Sequence, residues 1–239
     1  MGRRTVTTSL STARSSPRLV PVSDHAPDLQ PRAARSGPGQ QRIGVLGGTF
    51  DPPHLGHLWL ATLAADEANL DRVLLVPAAQ PPHKRRRSIS HAADRAAMTR
   101  LAVANDPRLD VSLVELERDG PSYTVDTLEA LQAQHPDVEM VLIMAADSLA
   151  AIDTWREPDR LLELARWAAG PRPGWPLPSR AELTARFGRA AGRIQLLSGP
   201  ALDISASHVR RRVAAGRSIR YLVPRAVEEF ITERRLYRH

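Results

Sequence analysis

A glycine-containing junction between a strand and a helix constrains this chain more than any other feature. The apolar run Ile43-Gly44-Val45-Leu46 predicts a buried strand, and Leu58-Trp59-Leu60-Ala61-Thr62-Leu63-Ala64 predicts a helix. Between them lies the signature segment, residues 47–57, with the sequence Gly47-Gly48-Thr49-Phe50-Asp51-Pro52-Pro53-His54-Leu55-Gly56-His57. Glycines let backbone N–H groups approach a phosphate, and a helix N-terminus adds partial positive charge there. The junction therefore predicts an anion site.

Two histidines at the start of this helix add hydrogen-bond donors to the anion site. His54 and His57 are three residues apart, so on a helical turn they point the same way. A turn with two satisfied surface histidines is one alternative, and a zinc site is another. The chain has no cysteine, and Asp51 is the only obvious carboxylate nearby, so we expect no metal site built from protein ligands.

The rest of the chain alternates predicted strands with predicted helices. Such alternation predicts a parallel sheet with helices on both faces, and a chain of 239 residues suits one such domain. We expect strands over residues 73–76, 109–113, 138–144, 167–169 and 194–197, and helices over 92–105, 124–134, 147–155, 158–166, 205–215 and 224–234. The apolar positions of the 92–105 helix are Ala93, Ala96, Ala97, Leu101 and Ala104. Thr124 is placed to cap its helix.

The first 41 residues differ in composition from the rest. They contain six Arg, two Asp, five Pro and no aromatic residue, and so carry +4 of the formal net charge of +7. Such a segment buries too little apolar surface to offset the entropy of ordering. We expect a disordered basic extension at 1–41 and a folded domain at 42–239. Without an apolar export signal or a membrane-length apolar run, we expect a cytoplasmic protein.

The signature segment resembles the G-T-F-D-P-x-H-x-G-H motif of the nucleotidyltransferase superfamily. With four later motifs, the chain resembles the bacterial nicotinate-nucleotide adenylyltransferases from about Arg42 to Tyr237. The resemblance implies a Rossmann-like, doubly wound parallel sheet of the nucleotidyltransferase type. It implies catalytic roles for His54 and His57, and ATP contacts from Gly48, Thr49, Phe50 and His57.

A second helix start resembles the family's other nucleotide motif, I-S-x-[ST]-x-[IV]-R. The stretch Leu202-Asp203-Ile204-Ser205-Ala206-Ser207-His208-Val209-Arg210 places two hydroxyls in a first helical turn, with an Arg one turn further on. This combination suits ATP phosphates, although Ser205 as a plain helix cap is the alternative. The resemblance implies ATP contacts from Ile204, Ser205, Ser207 and Arg210.

A third motif concerns the acceptor substrate. Ser122-Tyr123-Thr124-Val125-Asp126-Thr127-Leu128 matches the S-Y-T-x-D-T-L element of the enzymes that use nicotinate mononucleotide. Thr124 and neighbouring amides could donate to a pyridine carboxylate, and Trp155 could stack on the ring. Thr49 and Tyr123 complete the implied contacts. The alternative is a capped helix with a packed Tyr and Trp.

The fourth motif and a neighbouring loop concern adenosine. Ala145-Ala146-Asp147-Ser148-Leu149 resembles G-x-D-[SA]-L, in which Asp147 would accept hydrogen bonds from the ribose hydroxyls. Ala145 stands where the family has glycine, so a closely approaching ligand could be crowded. Pro171-Arg172-Pro173-Gly174 matches a loop that borders the adenine, which implies a contact from Arg172. Gly170, in a usually β-branched strand end, is unusual.

One cation stands apart from the others. Of the 33 basic residues 32 are Arg, and the single Lys is Lys84, in a stretch that resembles the family's P-x-x-Q-P-P-H-K element. A compact ammonium fits between phosphates where a planar guanidinium demands bidentate geometry, so we expect a catalytic role for Lys84. Chance is the alternative, because one leftover Lys needs no reason.

Together the motifs imply that ATP and nicotinate mononucleotide are joined to give nicotinate adenine dinucleotide (deamido-NAD) and pyrophosphate, in NAD biosynthesis. Mg²⁺ would accompany ATP, held mainly by phosphates and water. We expect no nucleic-acid or membrane partner, while homo-oligomerisation stays open. The alternatives are another nucleotidyltransferase, such as phosphopantetheine adenylyltransferase, and a catalytically silent nucleotide-binding regulator.

Overall fold

The computed structural model of the chain describes residues 40–81 and 89–238. Nearly all of the predicted extension 1–41, and Lys84, lie outside these ranges, so the domain boundary at residue 42 stays a prediction. The strands are β1 (Arg42–Gly48), β2 (Arg72–Pro77), β3 (Leu109–Val111), β4 (Glu139–Ala145), β5 (Arg166–Gly170) and β6 (Ile194–Leu196). The α-helices are α1 (Leu55–Glu67), α2 (Ala92–Val103), α3 (Thr124–Gln134), α4 (Ala146–Ala150), α5 (Pro158–Leu164), α6 (Arg180–Phe187), α7 (Ala206–Ala214) and α8 (Arg225–Glu233).

Within the described ranges the strands form one sheet in the order β3-β2-β1-β4-β5-β6, and every neighbouring pair is parallel. The chain moves outward from β1 in one direction as far as β3, then returns to the other side of β1 with β4. This reversal creates a topological switch point between β1 and β4, where ligands bind in sheets of this kind. The predicted α/β, doubly wound parallel sheet is confirmed.

Three apolar clusters hold the layers together. One face of the sheet packs against α3 and α5, with buried residues that include Leu128, Leu131 and Leu161. The opposite face packs against α1, with Ala61 and Ala64 fully buried. A third cluster joins α7 and α8 to α2. The C-terminal helices are therefore built onto the α2 side of the domain, beside the loops that follow β1 and β2.

Two local predictions were wrong. The buried face of α2 carries Arg95, Ala96, Met98, Thr99, Ala102 and Val103, whereas Ala93 and Ala104 are exposed. In an alanine-rich helix the small methyl groups do not mark the core-facing side, and an inward Arg is invisible to a hydrophobic pattern. Thr124 is the first residue of α3 rather than its cap, because Tyr123 occupies the cap position without a side-chain hydrogen bond.

The structure explains two further local features. Ser179 and Glu182 form the reciprocal capping box at the start of α6, with distances of 2.7 and 3.2 Å. Gly170 is explained by packing, since a Cβ at this position would collide with the Leu60 side chain of α1. In the described part of the chain, no helix is both long and apolar enough to cross a membrane.

The tight packing around Gly44 gives a stability prediction. Gly44 is buried in β1, and a Cβ there would lie 2.7 Å from both Ile143 and Leu70 side-chain atoms. We expect Gly44→Ala to lower the free energy of unfolding by about 1–3 kcal/mol, the usual range for overpacking. Gly47→Ala in the same strand is the matched control, because a Cβ at Gly47 meets no heavy atom of the described residues within 4 Å. Urea denaturation of both variants checks this, and equal losses would contradict it.

Candidate active site

The site lies where the two central strands part. β1 pairs with β2 as far as Gly48 and Pro77, but its pairing with β4 ends at Val45 and Leu142. The last residues of β1 and β4 therefore diverge, and a central cavity of about 440 Å³ opens between them. Its walls include the strand ends, both histidines of the signature segment, and the first residues of α3 and α4.

His54 is the residue before α1 and is only 3% exposed. Its ring stacks on that of His57, with 3.7 Å between the ring centroids, so the pair faces one side as the spacing predicted. Burial and the nearby positive charge of Arg172 lower the pKa of His54 to about 4. At neutral pH His54 is therefore a neutral imidazole. Among the described residues, no hydrogen-bond partner is found for its buried Nδ1.

His57 is held in a defined orientation by the backbone. The amide N–H of His54 donates to Nδ1 of His57 at 3.2 Å, and Phe50 packs its ring edge-on at 4.9 Å between centroids. Because Nδ1 accepts a hydrogen bond, the proton of the neutral ring is on Nε2. His57 can therefore donate from Nε2 toward a ligand in the cavity that it lines.

Gly56 makes room for the histidine pair. A Cβ at this position would lie 3.1 Å from Nδ1 and 3.2 Å from Cε1 of His54, and 3.5 Å from the Ile204 carbonyl oxygen. A Cβ here would require the His54 ring to shift slightly against its partner ring. The glycine of the signature segment thus serves ring packing as well as the phosphate approach expected from the sequence.

A second pocket of about 220 Å³ carries the positive charge of the site. It shares Thr49, His54, His57 and Arg172 with the central cavity and adds the residues at the start of α7, namely Ser205, Ala206, Ser207 and Arg210. We call it the anion pocket. Ser205 caps α7 by accepting from the His208 N–H at 3.2 Å. Because the first residues of α7 line the pocket, the N-terminus of this helix lies at the pocket. This donor set suits a polyphosphate.

The adenosine motif lines the central cavity, and Arg172 lines both that cavity and the anion pocket. Asp147 lies 3.6 Å from Arg172, and its Oδ1 accepts from the Ser148 N–H at 3.0 Å. A ribose that bonds to Asp147 would therefore share it with Arg172. Ala145 has φ −90° and ψ 165°, an ordinary extended conformation, so the position does not require glycine.

The central cavity also opens into an outer pocket between α3 and α4, which we call the pocket at α3. The two share Ser122, Thr124, Asp147, Ser148 and Trp155, and Tyr123 lines the outer one. The Arg156 guanidinium lies 4.8 Å from the Tyr123 ring centroid, which fixes that ring by a cation–π contact. Thr124 at the helix start and the partly buried Trp155 thus lie on the same cavity, as the pyridine-site hypothesis required.

Two buried charged residues escaped the sequence analysis. Arg95 is 1% exposed and donates to the carbonyls of Thr49, Ser90 and Ala79 at 2.9, 3.0 and 3.3 Å. It ties the signature segment to the loops around β2 and α2. The only sequence signal was an Arg inside an alanine-rich helix, which ordinarily indicates a solvated position.

The second such residue is Glu115, which braces the start of α3. It is 6% exposed and accepts a hydrogen bond from the Thr127 hydroxyl at 2.7 Å. Burial raises its pKa, although hydrogen bonds with Ser122 and Thr127 act in the opposite direction. Ser122 in turn accepts from the Ala79 N–H at 2.9 Å, so this network joins the loop after β2 to the pocket at α3.

Most of the predicted site residues that the structure describes meet on the connected cavities, and two do not. Those that line them are Gly48, Thr49, His54, His57, Tyr123, Thr124, Asp147, Trp155, Arg172, Ser205, Ser207 and Arg210. Phe50 is 1% exposed, so its ring supports His57 and only its backbone amide could reach a ligand. Ile204 packs against the third apolar cluster. Lys84 lies outside the described residues.

A parallel sheet that opens at its switch point onto an anion pocket defines a nucleotide-binding α/β protein. Residues 45–212 match the family model described as Cytidylyltransferase-like. A probable nicotinate-nucleotide adenylyltransferase of Symbiobacterium thermophilum is 46% identical to this chain over 197 residues, an alignment that covers 82% of this chain and 95% of the relative. A probable nicotinate-nucleotide adenylyltransferase of Thermus thermophilus is 47% identical over 197 residues, covering 82% of this chain and 100% of the relative. The chain therefore belongs to the nicotinate-nucleotide adenylyltransferases, within the cytidylyltransferase-like family.

Solved structures agree on the fold. A Plasmodium falciparum nicotinic acid mononucleotide adenylyltransferase complexed with NaAD superposes with a TM-score of 0.68 at 18% identity, covering 82% of this chain and 97% of that one. A Vibrio parahaemolyticus protein described as a putative nicotinate-nucleotide adenylyltransferase gives 0.60 at 16% identity, covering 83% and 96%. At these identities the likeness concerns the fold alone.

The lowered pKa of His54 gives a prediction on acid stability. The unfolded chain takes up a proton near pH 6.5, whereas the folded chain takes it up only near pH 4. Protons therefore favour the unfolded state between these values, so stability falls as the pH drops through this window. We expect acidification from pH 7 to pH 4 to destabilise the parent by about 3 kcal/mol more than His54→Asn. Urea denaturation at several pH values checks this, and parallel curves would contradict it.

Proposed function

We propose that the protein catalyses adenylyl transfer from ATP to nicotinate mononucleotide, giving nicotinate adenine dinucleotide and pyrophosphate. The observation that carries the proposal is the arrangement of the cavities. The anion pocket and the pocket at α3 each share a different set of lining residues with one central cavity, and the histidine pair lines that cavity. The relatives named above bear the name of this activity.

The reaction requires positioning more than covalent chemistry. An oxygen of the acceptor's 5′-phosphate attacks the α-phosphorus of ATP, a new P–O bond forms, and the bond between the α-phosphorus and the bridging oxygen breaks. Pyrophosphate leaves with the electron pair of that bond. A phosphate monoester is already ionised at neutral pH, so no general base is needed to create the nucleophile. Catalysis comes from holding the two substrates in line and stabilising the developing charge.

The histidine pair would supply donors at the transferring phosphorus. His57 donates from Nε2, and its orientation is set by the His54 amide at 3.2 Å. His54 is neutral at pH 7 because of its lowered pKa, and therefore acts through hydrogen bonding rather than as a fixed cation. A donor that is already oriented does not have to reorganise when charge develops in the transition state. Such preorganised electrostatic stabilisation is usually the largest contribution to rate enhancement in sites of this kind.

The anion pocket would bind the negatively charged β- and γ-phosphates of ATP. Arg210, Ser205 and Ser207 at the start of α7 would bind the β- and γ-phosphates, with the helix N-terminus behind them. Gly48, Thr49 and the Phe50 amide would approach the phosphates from the end of β1. Asp147 and Arg172 would contact the adenosine. We also propose a role for Lys84 beside the phosphates, as a compact ammonium on the loop after β2.

The acceptor would lie in the pocket at α3. Thr124 and the first amides of α3 would donate to the nicotinate carboxylate, and Trp155 would cover the pyridine ring. Tyr123 would complete the walls of this pocket, and Thr49 would contact the acceptor from the central cavity. A neutral amide in place of the carboxylate would lose the charge-assisted part of these hydrogen bonds.

We propose that Mg²⁺ enters bound to ATP. Among the described residues, no cluster of three or more His, Cys, Asp or Glu side chains could hold a metal ion, whereas the anion pocket fits phosphate oxygens. Mg²⁺ on those phosphates would keep water ligands and offset charge on the leaving pyrophosphate. A cytoplasmic location stays a prediction from the sequence.

Pyrophosphate release with different acceptors tests the assignment directly. The protein should release pyrophosphate from ATP with nicotinate mononucleotide, and far less with nicotinamide mononucleotide, 4′-phosphopantetheine or no acceptor. A preference for phosphopantetheine would favour the other superfamily activity that the opening motif allows. Release with none of the acceptors would leave a nucleotide-binding regulator.

The histidine geometry predicts a loss of turnover without a loss of fold. We expect His57→Ala to lower kcat about 10²-fold or more, because it removes an oriented transition-state donor, and His54→Ala to be comparably harmful. His135→Ala, at the end of α3, is the matched control and should keep the parent's turnover. Steady-state kinetics with circular dichroism checks this, and near-normal turnover in both site variants would remove the central role of the pair.

The pocket at α3 predicts a substrate-selective effect. We expect Trp155→Ala to raise KM for nicotinate mononucleotide about tenfold while leaving KM for ATP nearly unchanged, because only the acceptor loses its stacking surface. Trp155→Phe keeps an aromatic face and should recover most of the loss. Equal changes in both KM values would instead indicate a packing role for Trp155.

A further inference from the structure

The segment after α8, residues 234–238, returns to the signature segment. The Tyr237 hydroxyl donates to Oδ1 of Asp51 at 2.7 Å, although 186 residues separate the two. Arg235 and Tyr237 have φ of 52° and 61°, in the left-handed region that costs a non-glycine residue about 1 kcal/mol or more. A segment held in this conformation needs contacts that compensate.

Asp51 creates a difficulty for an anion pocket. Its side chain is 4% exposed and Asp51 belongs to the lining of the anion pocket, so a carboxylate lies close to the region where phosphate oxygens would lie. Its Oδ2 accepts from the Ser90 N–H at 3.4 Å and lies 4.0 Å from Nη1 of Arg210. A full ion pair between this carboxylate and Arg210 would use up the cation that a polyphosphate needs.

Arg210 is held by neutral acceptors instead. Nη1 donates to the backbone carbonyl of Asp51 at 2.6 Å, and Nη2 donates to Oγ of Ser207 at 3.1 Å. Nη1 of Arg210, which donates to the Asp51 carbonyl oxygen, lies 4.0 Å from Oδ2 of the Asp51 carboxylate. The guanidinium is therefore hydrogen-bonded to neutral acceptors at the pocket, and its ion pair with the Asp51 carboxylate stays at the long distance of 4.0 Å.

We propose that Tyr237 is a positioning residue that reserves Arg210 for the polyphosphate by holding the Asp51 carboxylate. The Tyr237 phenol donates a hydrogen bond to Oδ1 of Asp51 and keeps the Asp51 carboxylate turned toward the segment after α8. Tyr237 lies beyond residues 45–212, the range matched by the family model. The inference rests on the proposed function only in taking the polyphosphate to be that of ATP.

Removal of the phenol would change the balance of these contacts. A buried carboxylate that loses a hydrogen bond bears the full desolvation cost of that oxygen, so it turns to the nearest donor. Arg95 is already bound to three carbonyls, which leaves Arg210 across a 4.0 Å gap. Burial and the Asp51 charge raise the pKa of Tyr237, so the phenol keeps the proton it donates.

The test compares Tyr237→Phe with Tyr221→Phe, a tyrosine that is 82% exposed. Calorimetry with inorganic tripolyphosphate measures the anion pocket without requiring any reaction. Steady-state kinetics measures KM for ATP and for nicotinate mononucleotide. We expect Tyr237→Phe to weaken tripolyphosphate binding and raise KM for ATP about tenfold, the usual effect of one charge-assisted hydrogen bond. KM for the acceptor, and both values in Tyr221→Phe, should stay within twofold of the parent.

A double variant separates positioning from simple loss of structure. In Asp51→Asn with Tyr237→Phe, the neutral amide cannot capture Arg210, so tripolyphosphate affinity should recover to near the parent value. Unchanged binding in Tyr237→Phe overturns the proposal, and so does a loss that the double variant fails to restore. If the parent binds tripolyphosphate but transfers no adenylyl group, the proposed function fails, while the binding differences between variants still decide the role of Tyr237.

Discussion

The divergence of β1 from β4 is the constraint on which the rest of the site depends. Their pairing ends at Val45 and Leu142, while β1 stays paired with β2 to its last residue. A continuous ladder here would leave no cavity, and the glycines at the end of β1 would face a neighbouring strand. Because both strands run in the same direction, the residues that follow them meet at one edge. The signature segment and the start of α4 are brought together in this way.

Positive charge is concentrated at this edge without a matching set of free carboxylates. Arg172 is paired loosely with Asp147, and Arg210 bonds to a backbone carbonyl rather than to the Asp51 carboxylate. His54 remains neutral because burial and Arg172 both oppose its protonation. His54 therefore carries no charge that would have to be desolvated at pH 7.

Buried polar residues hold the loops of the site in place. Arg95 bonds to three backbone carbonyls, and Glu115 links through Thr127 and Ser122 to the loop after β2. Loops that pass over a sheet edge have few ladder hydrogen bonds of their own, so side chains must satisfy their backbone groups. These residues do not need to touch substrate to matter, because a shift of about 1 Å in the site would misalign the reacting phosphates.

The sequence alone determined the fold class and most of the residues that line the cavities at the switch point. Alternating strands and helices, glycines at a strand end and hydroxyls at a helix start act through local geometry, so neighbouring residues are enough to predict them. Only the tertiary structure decided the inward direction of Arg95, the burial of Glu115, the neutral state of His54 and the bond from Tyr237 to Asp51. Each depends on groups far apart in the chain, and the stability of a buried charge is set by those distant partners rather than by its sequence neighbours.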